Sequence, residues 1–303
     1  MAGVITTGNH PKALWPGLKA IWGRSYKEHD QQWKMIFDSE SSDKAYEEEV
    51  EVTGFGLAPV KPEGKAVSYD SEIQGTVTRY TNVSYALGYI VTMEEMQDNL
   101  YAEVSKKRSQ ALGFSMRQTK ENVHANILNR AFDSNFQGGD LQSLISEAHP
   151  VRSGAQSNAL TTPADLSETS LEDILIQIMN VQNSRGLRIS LMGKKLIVPP
   201  SLSFMAERIC KSNLQNDTAN NAVNAIKNMG LLPEGVCVNQ YLTDVDAWFV
   251  KTDAPRGLMH FNRYSPDMTQ DNDFDTENAR AKCFERYVAG WSDFRGLYGS
   301  AGA

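Results

Sequence analysis

A serine nucleophile on a strained strand-to-helix turn needs Gly-x-Ser-x-Gly, and that pentapeptide is absent from the chain. Gly54-Phe-Gly56 opens like a dinucleotide fingerprint, but Pro59 stands where the third glycine belongs and no helical pattern follows to offer its amides to a pyrophosphate. Gly64-Lys65 ends like a phosphate loop; Pro59 again replaces the first glycine, and Ala66 replaces the hydroxyl that would hold magnesium. The five histidines, at 10, 29, 124, 149 and 260, make no His-x-x-x-His or His-Glu-x-x-His pair and read as structural or surface residues. Asp271, Asp273 and Asp275 imitate the first, third and fifth ligands of a calcium loop, yet Thr276 replaces the turn glycine and Lys282 the bidentate glutamate. The sequence therefore predicts an acidic turn there. Cys210, Cys237 and Cys283 are too scattered for a zinc knuckle or a disulfide framework and read as reduced core residues. No catalytic residue, cofactor or metal is expected from local motifs, and architecture carries the strongest signal.

The 303 residues are enough for one elaborate domain or a few intertwined ones, and 41% hydrophobic with 22% charged residues excludes a wholly disordered or collagen-like chain. A net charge of −7 argues against a surface that clamps nucleic acid throughout. The longest apolar stretch, Val83 to Val91, falls far short of the roughly 20 residues that span a bilayer, and the N-terminus has no signal-peptide pattern, so no membrane partner is expected.

Residues 1–49 read as an arm. Trp22, Tyr26, Trp33 and Phe37 recur at helical spacing, predicting one amphipathic helix docked on its own domain or on a neighbour. Glu40 to Glu51 carries six carboxylates against one lysine, the composition of a solvated face. From Glu49 to Val91 β-branched and aromatic residues flank a turn-rich stretch, 54–75, with two prolines and few large apolar groups; this predicts a long two-stranded excursion. An isolated hairpin is marginal in water, so such a projection should gain its order from a partner.

Thr92-Met-Glu-Glu95 supplies a capping box, and Met93, Met96, Leu100, Val104, Phe114, Ile127 and Ala131 recur at helical steps, predicting a helix to Phe136 with Gly113 as a bend. Its basic residues face solvent, the acidic arm or a polyanion. Residues 146–262 read as mixed α/β: a helix from Leu171 to Val181, strands at Leu196-Ile-Val, Val236-Cys-Val and Trp248-Phe-Val, and a helix from Ser201 to Lys211. The remainder, 258–303, alternates apolar and polar residues around the acidic turn.

This order of elements resembles the major capsid proteins of tailed bacteriophages, whose shell fold encapsulin nanocompartments share. The resemblance concentrates at Tyr89-Ile-Val-Thr-Met-Glu-Glu-Met-Gln-Asp98, at Leu144 to Pro150 with Ser157-Asn158 and Leu196 to Leu202, and at Asp273-Phe-Asp-Thr with Arg286-Tyr, Gly290-Trp and Asp293 to Tyr298. It implies an α+β shell fold with an N-terminal arm (1–48), an extended β-hairpin loop (49–91), a peripheral domain with a long spine helix (92–145 and 262–303) and an axial domain (146–261). It also implies a structural, non-enzymatic subunit that packs with itself as hexamers and pentamers in the virion and assembles in the host cytoplasm. Trp15, Trp22, Trp33, Phe55, Lys61 and Lys65 would contact neighbouring subunits, and Thr92, Glu95, Leu100 and Ile127 would belong to the spine. Many relatives begin with a cleaved scaffolding segment; its absence here implies a separate scaffolding protein. A portal protein, a decoration protein and weakly held double-stranded DNA complete the expected partners. An encapsulin-like compartment shell is the runner-up, and a motif-poor hydrolase is the alternative of a different class.

Overall fold

The computed structural model describes residues 11–28, 30–92, 94–95, 101–215, 222–273 and 278–303. Two four-stranded sheets organise the chain, and one helix joins them. The first sheet has the order β1 (Asp38–Ser41), β10 (Leu258–Asn272), β11 (Ala279–Trp291), β4 (Val83–Val91), with β1 parallel to β10 and the other pairs antiparallel. Period-two alternation is plain in β11, where Ala279, Ala281, Cys283, Glu285 and Tyr287 are buried while Arg280 and Lys282 face out.

The joining helix, α2 (Tyr101–Asn129), lays Leu112 and Met116 against Met268, Ala281 and Cys283 of that sheet. Further along, Ile127 and Leu128 pack into the second sheet's core with Phe249 and Leu297. The helix is shorter at both ends than the sequence predicts. Glu95 Oε1 pairs with Arg108 at 2.7 Å, whereas thirteen residues of straight helix would separate the two by about 20 Å; the turn at Thr92 and the helix from Tyr101 are separate elements. Beyond Asn129 the backbone makes tight turns, and the Asp133 carboxylate accepts the Asn135 N–H at 2.9 Å, a local bond that competes with helix. Gly113 marks no bend. A Cβ there would lie 2.9 Å from the Trp22 carbonyl, so the glycine lets helix α1 (Pro11–Tyr26) approach, and Ser109 Oγ donates to Leu18 O at 3.0 Å beside it.

The arm is likewise not one helix from Trp22 to Phe37. α1 ends at Tyr26, and Trp33 sits in a 3₁₀ turn (Gln32–Met35) whose Gln32 and Trp33 N–H groups both donate to the Glu121 carboxylate at 3.1 Å. The polar run Lys27 to Gln31 offers no apolar face to hold a helix, and Glu121 supplies a tertiary cap instead.

The second sheet has the order β12 (Leu297–Ser300), β9 (Trp248–Thr252), β7 (Gly193–Val198), β8 (Val236–Val238). It is covered on both faces: Leu196, Trp248 and Val250 meet Leu171, Ile174 and Ile178 of α3 (Glu168–Met179), while Ile197 and Phe249 meet Leu128 and Leu144. A Ser167–Ser170 capping box starts α3. Helices α4 (Ser203–Lys211) and α5 (Ala225–Met229) flank this sheet. A short antiparallel pair, β5 (His149–Val151) and β6 (Gly154–Gln156), leads into it. β2 (Tyr46–Val52) and β3 (Gln74–Thr81) form a separate two-stranded ribbon, and residues 53–73 between them carry no regular structure.

Candidate functional site

Charge fastens the root of the β2–β3 ribbon to its own subunit. Glu49, only 8% exposed, pairs with Arg256 at 2.7 Å and accepts a hydrogen bond from Ser292, whose Oγ also lies 2.5 Å from the Tyr80 hydroxyl. Glu51 accepts from Ser184 and lies 3.9 Å from Arg295. The cavity at this root measures about 160 Å³, below the size of ordinary ligand pockets, and these carboxylates already have partners. Farther out, Asp70 accepts the Gly56 N–H at 2.8 Å and pairs with Arg185 at 2.6 Å. The Gly56 and Ser71 amides, then Arg185, hold its carboxyl below the usual carboxylate range.

Beyond those anchors the loop turns apolar groups to solvent. Phe55 is 62% exposed, Leu57 81%, Val60 93% and Tyr69 95%. The expectation of few large apolar groups undercounts them. Six hydrophobic side chains in one unpaired segment make a surface that soluble monomers rarely display.

The groups that could do acid–base or nucleophilic chemistry are locked inside. His124 Nδ1 lies 2.6 Å from the Lys120 carbonyl and must carry its proton there, so His124 Nε2 accepts from His260 Nδ1 at 3.0 Å. Burial lowers these imidazoles to about 3 and about 2, with Lys120 adding to the effect. Glu285 beside them, 3.5 Å from Lys120 Nζ, is raised by the same desolvation. Burial also pushes the Cys210 thiol up to about 11 and the Cys283 thiol up to about 12, away from thiolate reactivity. His149 stands 2.5 Å from Asp140 like an oriented catalytic base, but it is wholly buried, stacks on Phe294 at 3.9 Å, and points its other nitrogen at Asn158 Oδ1, 3.0 Å away. Asn158 is a structural hub: its amide donates to Leu144 O, Phe294 O and Leu297 O and its oxygen accepts the Ser146 N–H at 2.9 Å. Among the described residues no cluster of three His, Cys, Asp or Glu could hold a metal, and no helix is long and apolar enough to cross a membrane.

The residues singled out from sequence fall into three groups. Phe55, Lys61 and Lys65 lie together on the exposed loop. Trp22 and Trp33 are 6% and 4% exposed: the first packs on α2 and the first sheet, the second stacks between His124 and His260, so the subunit itself covers their indoles. Trp15 lies in α1, at a position whose side chain is outside the described residues, as is all of Leu100. Thr92 Oγ1 accepts the Glu95 N–H at 3.4 Å, half of the expected capping box, while the Glu95 carboxylate turns to Arg108. Ile127 is partly buried beside the second sheet's core. Sequence reasoning missed Arg185, Arg256 and Arg295, because each meets its carboxylate across more than a hundred residues or, for Asp293, within a turn that no motif marks.

No curated protein matches this chain in sequence. Its structure is similar to the mature capsid of bacteriophage PhiM1 (11% identity, TM-score 0.56, covering 90% of this chain and 87% of that one). It is also similar to a structure from Mycobacterium phage Patience (11%, 0.55, 99% and 92%) and to a virus-like particle from Pyrococcus furiosus (10%, 0.55, 94% and 98%). The fold is thus the phage major-capsid shell fold. The family model described as phage capsid protein matches residues 75–300, through the ribbon's second strand, both sheets and α2, and the chain belongs to that family.

Proposed function

We propose that this chain is the major capsid protein of a tailed double-stranded DNA bacteriophage, assembling as hexamers and pentamers into an icosahedral head around the genome. The observation that carries this reading is the loop 53–73, whose apolar side chains find no cover in their own subunit. A closed assembly of identical subunits provides that cover at every position. In this reading residues 1–48 are the arm, 49–91 the extended loop over a neighbour, 92–145 with 262–303 the peripheral domain and 146–261 the axial domain. The subunit has no enzymatic role, and its partners are further copies, a separate scaffolding protein, a portal, a decoration protein and the packaged DNA, held weakly because the net charge is −7. Assembly takes place in the host cytoplasm.

The likeness to the Pyrococcus furiosus particle over 94% of the chain favours a second reading, an encapsulin-like compartment shell. Electron microscopy of particles purified from infected or expressing cells separates the two. Genome-filled heads are expected; small shells loaded with an enzyme support the second reading, and a monodisperse monomer under all assembly conditions overturns both. Deleting residues 56–72 is expected to leave a soluble, folded subunit that forms no closed shell.

A further inference from the structure

Between α1, the 3₁₀ turn and the first half of β10 lies a groove of about 880 Å³. Trp22, Tyr26 and Trp33 contribute its aromatic walls. Lys19, Lys27, Lys34 and Lys120 line it against one described carboxylate, Asp30, a local positive excess in a chain of net charge −7. Lys19 pairs with Asp267 at 2.6 Å and Lys120 with Glu285 at 3.5 Å. Lys27 and Lys34 are exposed and form no ion pair among the described residues. The seam is also incomplete in hydrogen bonds: Trp22 Nε1, Gln31 Oε1 and Asn262 Oδ1, all on residues lining the groove, are buried without a partner.

We propose that this groove receives the acidic tip between β10 and β11, residues 271–277, of a second copy of the chain. That segment reads Asp-Asn-Asp-Phe-Asp-Thr-Glu: carboxylates at every second position and one aromatic ring between them. It is the chemical complement of two unpaired lysines above aromatic walls. The subunit's own tip is out of reach, because β10 leaves the groove at Pro266 and runs six residues, about 20 Å, to Asn272. Groove and tip are different surfaces of one molecule, so their contact is head-to-tail and propagates into rings or shells. The inference rests on the shell reading and names one contact that would close it.

The test is zero-length carbodiimide crosslinking of assembled full-length particles, made from mixed light and heavy isotope-labelled subunits and read by peptide mass spectrometry. Mixed-isotope links from Lys27 or Lys34 to carboxylates of 271–277 are the expected result. Links from those lysines to other segments only, or none, overturn the inference while the particles themselves keep the shell reading intact; failure of the unaltered protein to form particles overturns both. In a second arm, Lys27→Glu with Lys34→Glu should lower particle yield at least tenfold without lowering the subunit's melting temperature, and Asp271→Lys with Asp275→Lys should restore it. Normal yield from the lysine variant, or no restoration by the paired one, contradicts the proposal. If the lysine variant does not fold, Lys27→Ala with Lys34→Ala replaces it, and unchanged yield again contradicts the contact.

Discussion

The second sheet and the ribbon loop handle apolar surface in opposite ways. Around β7 and β9 each face of the sheet is closed within the chain, so that Trp248, Leu196 and Ile197 have no exposure at all. In the loop 53–73 Val60 and Tyr69 are almost wholly exposed, and the few bonds that hold the loop are hydrogen bonds and ion pairs near its root and at Asp70. The first region is a core that stabilises one subunit; the second has the composition of a core without its other half. The difference teaches that folding and assembly use separate residues here, and each region can be altered with little effect on the other.

The largest expected effect separates them directly. Trp248→Ala removes a fully buried ring and should cost about 3–5 kcal/mol of subunit stability, enough to give insoluble protein, whereas Tyr69→Ala should leave the melting temperature unchanged and depress shell formation. Equal loss of stability in the two variants would place the loop in the subunit's own core.

Asn158→Ala should come next. It strips partners from carbonyls in residues 144–146 and 294–297, at the crossing between the two sheets, and should cost about 2–3 kcal/mol in denaturant unfolding. A change within a few tenths of a kcal/mol would deny the hub its structural role.

The pH response is smaller and sharpens the account of the first sheet. His124 and His260 stay neutral when folded, down to about 3 and about 2, but take protons near 6.5 when unfolded. Between those limits the unfolded state binds more protons, so stability falls as pH falls below 6.5, by up to about 1.4 kcal/mol per pH unit for each histidine. Glu285 and Glu121, raised by burial, act in the opposite sense and offset part of the slope; Lys120, Arg117, Tyr26 and Tyr287 are the other ionisable groups around the pair. Melting temperature should therefore drop from pH 7 to pH 5, and His260→Gln should flatten that drop. An unchanged slope in the variant would assign the acid sensitivity to other groups.

What was legible in the sequence follows from how far each interaction reaches along the chain. The strands at Leu196, Val236 and Trp248 and the helix from Leu171 show in local periodicity, and the order of elements carried the resemblance to capsid proteins. The arm helix was overextended because helical spacing continues through Trp33, while the stop comes from Glu121, a carboxylate 88 residues away. The long helix was overextended at its start because a cap at Thr92 says nothing of Arg108 drawing Glu95 aside. The loop's two lysines and Phe55 were visible as a turn-rich excursion; its apolar exposure is a property of folded surroundings and could not be read from composition.

The most direct test of the central claim, that the loop finds its cover on neighbouring subunits, is limited trypsin digestion of the same protein before and after assembly. Pro62 shields the Lys61 bond, so the first cut in unassembled subunits should fall at Lys65–Ala66, leaving the sheets intact in the remaining fragments, and that bond should resist cleavage in particles. Resistance at Lys65 in the lone subunit, or equal cleavage in both states, would contradict the account.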